Sequence, residues 1–115
     1  MHMLMAVAAL MAGAPLLEGF DVPLMPGLAE VADARVTFDK EEGSIIETVL
    51  EGQAPASKAQ VWYASSLPGL GWKLEAATST RQVYQRGADR LVIDYSRTGA
   101  TTRVRLLLEP SGPQP

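Results

Sequence analysis

Residues 54–74 read APASKAQVWYASSLPGLGWKL, and this stretch decides the fold. Pro55 suits the first turn of a helix, where its missing N–H would have no partner anyway. After it, one stripe of side chains recurs at helical spacing: Ala59, Trp62, Tyr63, Ser66 and Leu67. The stretch therefore predicts an amphipathic helix over residues 56–66 that covers one face of a sheet.

The helix is expected to stop at Leu67-Pro68-Gly69. A residue before proline avoids the helical region of backbone space, so Leu67 should lie outside that region. Gly71 then permits a sharp reversal, after which Trp72 begins a strand.

The other segments alternate polar and apolar residues, as half-buried strands do. Two strands are predicted before the helix, at 35–39 and 44–50, and four after it, at 72–76, 81–86, 91–97 and 102–109. Val36 and Phe38 share one face of the first strand, which is typical of a half-buried strand. The predicted fold class is α+β: one helix packed on a mainly antiparallel sheet, in the order β-β-α-β-β-β-β.

The last two strands have one apolar and one charged face. The apolar face, expected beneath the helix, consists of Leu91, Ile93, Tyr95, Val104, Leu106 and Leu108. Asp94 and Ser96 lie opposite it, on the same side as Arg103 and Arg105. Leu107 also falls on that side, where an exposed apolar side chain would suit contact with another protein.

At 115 residues the chain has room for one core, and its 47% apolar and 20% charged residues are typical of a globular protein. We expect an α+β domain over residues 35–109 and a disordered tail over residues 110–115. An apolar linker is predicted over residues 15–34. It packs along the sheet or helix, or else presents Leu24 and Met25 as a docking segment.

Residues 1–14 are predicted to be a signal peptide or membrane anchor. Residues 3–17 read MLMAVAALMAGAPLL, an uncharged run with the length of a signal-peptide core and an A-x-A pattern at residues 12–14. No Lys or Arg precedes the run, and Pro15 would hinder cleavage, so either the true start lies upstream and carries the basic residues or the segment stays attached as an anchor. The expected location is the periplasm, with membrane contact only if residues 3–17 are retained. The alternative is a buried helix of a cytoplasmic protein.

Charge is unevenly distributed along the chain. Residues 1–55 hold nine acids and two bases, whereas residues 56–115 hold four acids and eight bases. We expect the acidic early strands to lie beside the basic late ones. The acidic total and the scattered arginines argue against a nucleic-acid partner.

Few kinds of catalytic chemistry are open to this chain. It has no cysteine, and its single histidine, His2, lies in the leader, so triads, thiolate nucleophiles and His-ligated metals are excluded from the mature domain. Asp39, Glu41 and Glu42 crowd one turn but lack the other ligand positions of a cation site. Asp94 could act as a general base, but pairing with a neighbouring arginine is the simpler interpretation. No enzyme activity, cofactor or metal is predicted.

Aromatic side chains could line an apolar pocket between helix and sheet, or could simply form the core. They are Trp62, Tyr63, Trp72, Tyr84 and Tyr95.

Two segments resemble a pattern in small uncharacterised exported proteins of Alphaproteobacteria. These are residues 21–28, DVPLMPGL, and the Tyr-x-x-x-Leu-Pro-x-Leu-Gly-Trp run that ends at Trp72. Trp62 stands where we would expect phenylalanine. The resemblance implies an exported protein and no particular activity.

Two functions are therefore expected from the sequence. The first is a non-enzymatic accessory domain of the bacterial envelope that binds another protein. The second is a small module that holds a lipid or other apolar ligand between the helix and the sheet.

Overall fold

The computed structural model describes residues 14–111. Within that range the strands are β1 (Leu16–Leu17), β2 (Val22–Pro23), β3 (Leu28–Glu30), β4 (Val36–Lys40), β5 (Gly43–Gly52), β6 (Lys73–Ala77), β7 (Arg81–Arg86), β8 (Asp89–Thr98) and β9 (Thr101–Pro110). Helix α1 (Ala56–Ser66) lies between β5 and β6 and is followed by a 3-10 turn, Pro68–Leu70. The predicted α+β class and the order β-β-α-β-β-β-β from β4 onwards are confirmed. The leader predicted over residues 1–14 lies outside the described residues, apart from its last residue.

Seven strands form one antiparallel sheet. Six of them follow the order β3-β5-β9-β8-β7-β6, and β4 also pairs with β5. Strand β5 has two partners on one edge, since β4 pairs with its first half and β3 with its last residues. Its other edge pairs with β9 from Ile46↔Leu108 to Gly52↔Thr102. Helix α1 therefore carries the chain from β5 to the far edge of the sheet, and the meander β6 to β9 returns to β5.

Helix α1 buries one side and exposes the other. Ala59, Tyr63 and Leu67 are fully buried, whereas Val61 is 66% exposed. Leu67 keeps helical backbone angles, contrary to the sequence-based expectation, because the chain continues into the 3-10 turn. Gly71 then makes the reversal with a φ of 91°.

The inner face of the sheet is built from rows of side chains that run across the strands. Leu50, Val104 and Tyr95 occupy one row, and Leu106 and Ile93 belong to the next. All five are buried beneath α1 and the N-terminal segment. Burial of this apolar surface is the main stabilising contribution to the fold.

The segment predicted as a linker, residues 15–34, is part of the folded domain. Phe20, Val22, Met25 and Leu28 are buried in the same core as the helix and sheet. Strands β1 and β2 pair with each other, and β3 joins the main sheet. The folded domain therefore begins well before residue 35.

Hydrogen bonds attach the N-terminal segment to the helix and to the strand that follows it. The Tyr63 hydroxyl donates to the Pro23 carbonyl at 2.9 Å and accepts from the Met25 N–H at 3.3 Å. The Trp72 indole N–H donates to the Asp21 carbonyl at 3.4 Å. Arg86 pairs with the Asp21 carboxylate at 2.6 Å and stacks over Trp72. The segment is therefore held by specific polar contacts as well as by apolar burial.

Two features near the edges of the sheet differ from the prediction. Val36 and Phe38 on β4 are 42% and 58% exposed rather than half-buried, because they face away from the helix. Pro110 ends β9, and the Ser111 N–H donates to the Ala88 carbonyl, so the predicted tail begins too early. Residues 112–115 lie outside the described range.

Candidate functional site

The outer face of the sheet, which we define as the face opposite α1, carries an open groove. We call it the outer groove, and it has a volume of about 400 Å³. Its lining consists of Arg81, Val83, Arg90, Val92, Asp94, Arg105, Leu107 and Glu109. All of these residues come from β7, β8 and β9, so three hydrogen-bonded strands hold the lining in place.

Strand register determines the pattern inside the groove. Val83, Val92 and Leu107 are Cα partners on successive strands and form an apolar row across the floor. Arg81, Asp94 and Arg105 form the charged row on one side of it. Arg90 and Glu109 are partners on the other side. Since side chains alternate between the two faces of a strand, each row repeats every second residue.

Ion pairs hold the side chains of the charged row, Arg81, Asp94 and Arg105, in place. Arg81 contacts Asp94 through two hydrogen bonds, of 2.6 Å and 3.2 Å. Arg105 bonds Glu47 on β5. The hydrogen bond to Asp94 raises the pKa of Arg81, and the bond to Glu47 raises the pKa of Arg105. These exposed pairs set the positions of the side chains more than they stabilise the fold.

Arg90, on the opposite side of the groove, has a different environment. Its Nε is shielded from solvent and has no hydrogen-bond partner within residues 14–111. The residue as a whole is only partly buried. Arg90 thus adds a cation to the groove without the carboxylate contact that Arg81 and Arg105 have.

The predicted interaction residues on β9 separate into two groups. Arg105 and Leu107 line the groove, and Leu107 is partly buried on its floor. Arg103 lies one row away and pairs with Glu51 at 3.0 Å.

Three of the five ion pairs among the described residues join the early and late parts of the chain. They are Arg103–Glu51, Arg105–Glu47 and Arg86–Asp21. The expectation from charge distribution is therefore confirmed, with the acids of the first half lying beside the bases of the second.

The aromatic residues proposed for a pocket pack in the core. Tyr63, Trp72, Tyr84 and Tyr95 are at most 4% exposed, and Trp62 packs edge-on against Tyr63 with the ring centres 4.9 Å apart. The Tyr95 hydroxyl donates to Gln82 at 2.6 Å. Burial raises the pKa of Tyr63 to about 12 and also raises the pKa values of Tyr84 and Tyr95. A ligand between helix and sheet would have to displace these packed rings.

Leu24 and Met25 do not form an exposed docking segment. Met25 is 3% exposed, and Leu24 packs against the core. The Leu24 N–H donates to the Pro15 carbonyl at 2.8 Å, which extends the pairing of β1 and β2 at the end away from their turn. Met25 therefore belongs to the core, and Leu24 is partly buried beside it.

Other residues of the outer face were not identified from the sequence. Val83 and Val92 line the groove, and register places Val36 and Phe38 on the same face. The signal was present as alternation within each strand. In β7, however, the neighbours Val83 and Tyr84 are both apolar, so alternation alone does not say which of them faces the helix.

A polar cluster lies where β3 meets β5. Arg35 bonds both carboxylate oxygens of Glu30, at 2.9 Å and 3.1 Å, and the Thr48 hydroxyl donates to Glu30 at 2.5 Å. The Arg35 hydrogen bond lowers the pKa of Glu30. Arg35 also lies over the Phe20 ring and donates to the Glu18 carbonyl. Because every charge in the cluster has a partner, we assign it a role in holding the N-terminal segment.

The described residues show neither a metal-binding arrangement nor a helix that could span a membrane. Residues 14–111 contain no cluster of three or more acidic or histidine side chains arranged to bind a metal ion. Asp39, in the acidic turn, instead accepts a hydrogen bond from Ser44 at 2.7 Å. No helix in this range has both the length and the apolar character needed to span a bilayer.

Compared with known proteins, the chain matches no family model, and no curated protein or solved structure is significantly similar to it.

Proposed function

We propose that this protein is a non-enzymatic domain that binds another protein through the outer face of its sheet. The observation that supports this is the difference between the two faces. The helix and the N-terminal segment cover the inner face, while the outer face keeps an open groove with an apolar floor. An exposed apolar surface bordered by charged side chains is typical of protein–protein contact sites.

The chemistry of the groove supports binding rather than catalysis. Asp94, the side chain considered as a general base, is held by two hydrogen bonds from Arg81. Both carboxylate oxygens of Asp94 are thus engaged by Arg81. The groove instead offers fixed charges beside an apolar floor, which suits recognition.

We propose the bacterial envelope as the place where this binding occurs. Support comes from the apolar run over residues 3–17 and from the resemblance to exported proteins of Alphaproteobacteria. The partner would then be another envelope protein.

Substitution on the groove floor tests the proposal. Leu107→Glu places a charge in the apolar row, and we expect capture of the bound partner from the native organism to fall at least about tenfold, or ~1.4 kcal/mol. Quantitative mass spectrometry of crosslinked complexes measures the change. Val61→Glu is the matched control, since Val61 is 66% exposed on the helix, away from the groove.

Circular dichroism must show that both variants fold. Val92→Glu provides a second variant on the same row if Leu107→Glu is unstable. Equal capture by the wild type and both groove variants would contradict the proposal.

A further inference from the structure

The outer face differs in charge from the rest of the molecule. Among residues that have a Cα partner in the sheet, register assigns six basic and four acidic side chains to it, a net charge of +2: Lys40, Lys73, Arg81, Arg90, Arg103 and Arg105 against Glu47, Glu51, Asp94 and Glu109. The remaining residues of the chain hold four bases and nine acids, a net charge of −5. The candidate binding face is thus positive on a chain that is negative overall.

This distribution favours an acidic partner over a second copy of the same chain. Two copies that met through their outer faces would bring like net charges together, which opposes association. A negatively charged surface would instead be attracted to the outer face, and the attraction would weaken as salt is added.

Arg90 is the groove cation best placed for an incoming carboxylate. Arg81 and Arg105 already pair with Asp94 and Glu47. Arg90 makes no ion pair among the described residues, and its shielded Nε has no hydrogen-bond partner there. Because the residue is only partly buried, a bound carboxylate that reaches the exposed part of this guanidinium group gains a strong, charge-assisted contact.

The apolar row limits the size of the anchor that binds beside Arg90. Val83, Val92 and Leu107 lie on three adjacent strands, so the row spans two strand spacings, or about 10 Å. This length admits roughly two apolar side chains of a partner.

On the basis of the proposed function, we propose that the outer groove binds an acidic segment of another protein. One or two apolar side chains of that segment lie on Val83, Val92 and Leu107, and an adjacent Asp or Glu carboxylate pairs with Arg90. The groove lining holds three arginines against two carboxylates, Asp94 and Glu109, and this balance disfavours a basic segment.

A membrane surface fits this face less well. The apolar row lies on a groove floor between charged side chains and does not project from the surface. Four carboxylates on the same face would also approach the anionic headgroups and oppose binding.

To test this inference, the full chain is titrated with three nonapeptides, and nuclear magnetic resonance records the amide signals during each titration. The acidic probe is Ser-Gly-Glu-Leu-Glu-Leu-Glu-Gly-Ser, and the two matched probes replace its Glu residues by Gln or by Lys. We expect the acidic peptide to shift the amide signals of Val83, Val92 and Leu107, with an affinity that falls as salt rises. Equal binding of all three peptides, or no shift at about 1 mM peptide, would overturn the inference.

Variants of Arg90 identify the contact. Arg90→Gln should weaken binding of the acidic peptide about tenfold, and Arg90→Glu should gain binding of the lysine peptide. Arg97→Gln is the matched control, because Arg97 is exposed on β8 but register assigns it to the inner side. A loss with Arg97→Gln as large as that with Arg90→Gln would reject the assignment to Arg90.

Two further measurements separate this inference from the proposed function. If Leu107→Glu loses the captured partner and Arg90→Gln keeps it, the groove binds a partner but the acidic chemistry is wrong. If Leu107→Glu keeps the partner, the proposed function itself fails. Binding to phosphatidylglycerol vesicles that Leu107→Glu abolishes, with no peptide response, would overturn the inference in favour of a membrane surface.

Discussion

Two buried tyrosine hydroxyls in the core differ in their hydrogen bonding. The Tyr63 hydroxyl contacts the Pro23 carbonyl and the Met25 N–H, whereas the Tyr84 hydroxyl has no partner among the described residues. Tyr63→Phe would leave two buried backbone groups unsatisfied. We therefore expect it to lower the free energy of unfolding by about 1–3 kcal/mol, measured by urea denaturation.

Tyr84→Phe is the matched control for that prediction. It removes a hydroxyl that makes no hydrogen bond, so we expect an unchanged or slightly higher stability. Equal losses in the two variants would show that the Tyr63 hydroxyl bonds contribute nothing specific.

Tyr63 also makes stability depend on alkaline pH. Burial raises its pKa from 10 to about 12 in the folded state, so its contribution is complete below pH 10 and is lost as pH rises towards 12. The full effect corresponds to roughly 3 kcal/mol. Denaturation between pH 8 and pH 12 should show a steeper loss in the wild type than in Tyr63→Phe. Identical slopes would contradict the assigned pKa.

The sequence did not predict which of the neighbours Trp62 and Tyr63 is more deeply buried. Helical spacing assigned both residues to the stripe that faces the sheet, and both do contact the core. However, Tyr63 is fully buried, while Trp62 is only partly buried. Which neighbour lies innermost depends on how the helix is rotated against the sheet, and periodicity alone does not give that rotation.

At the scale of elements, the reversal after α1 depends on Gly71. Its φ of 91° is unfavourable for other residues, and a Cβ would lie 3.2 Å from the Arg86 side chain. Gly71→Ala should therefore lower the thermal midpoint, with a loss of about 1–2 kcal/mol.

Gly69 provides the control, since it belongs to the same turn. An added Cβ there meets nothing within 4 Å, and its backbone is outside the left-handed region. Gly69→Ala should leave stability unchanged or slightly higher. If the two variants melt at the same temperature, the backbone angle at Gly71 is not limiting.

The long elements could be predicted and the short ones could not, for a physical reason. Strands β1, β2 and β3 have two or three residues, which is too short to show any alternation. Pro23, Pro26 and Gly27 gave only turn signals. The burial of Phe20 and Val22 follows from contacts with distant strands, which no local pattern encodes.

The outer groove was only partly predictable for a similar reason. Arg105 and Leu107 were correctly placed together by alternation within β9. Val83 and Val92 join them only through the register of three strands, and the exposure of Val36 was likewise not predicted. Register depends on turn geometry and on pairing between distant segments.

At the scale of the whole molecule, the N-terminal segment and the sheet form one core. Phe20 is fully buried, and Arg35 lies over its ring. Phe20→Ala should cost about 3–5 kcal/mol and produce one cooperative transition at a lower denaturant concentration.

Leu16→Ala is the control for this prediction, because Leu16 is 53% exposed in the same segment. It should change stability by no more than about 0.5 kcal/mol. Wild-type stability in Phe20→Ala would mean that residues 15–34 behave as a linker after all.

The position of β9 has a consequence for the order in which the protein can be made. Strand β9 lies between β5 and β8, although it is the last of the three to be synthesised. Pairs such as Ile46↔Leu108 cannot form until the ribosome has released residues 101–110. The helix and the earlier hairpins can form before this, but one edge of β5 stays unpaired until β9 is available. The central part of the sheet can therefore close only after β9 has emerged from the ribosome.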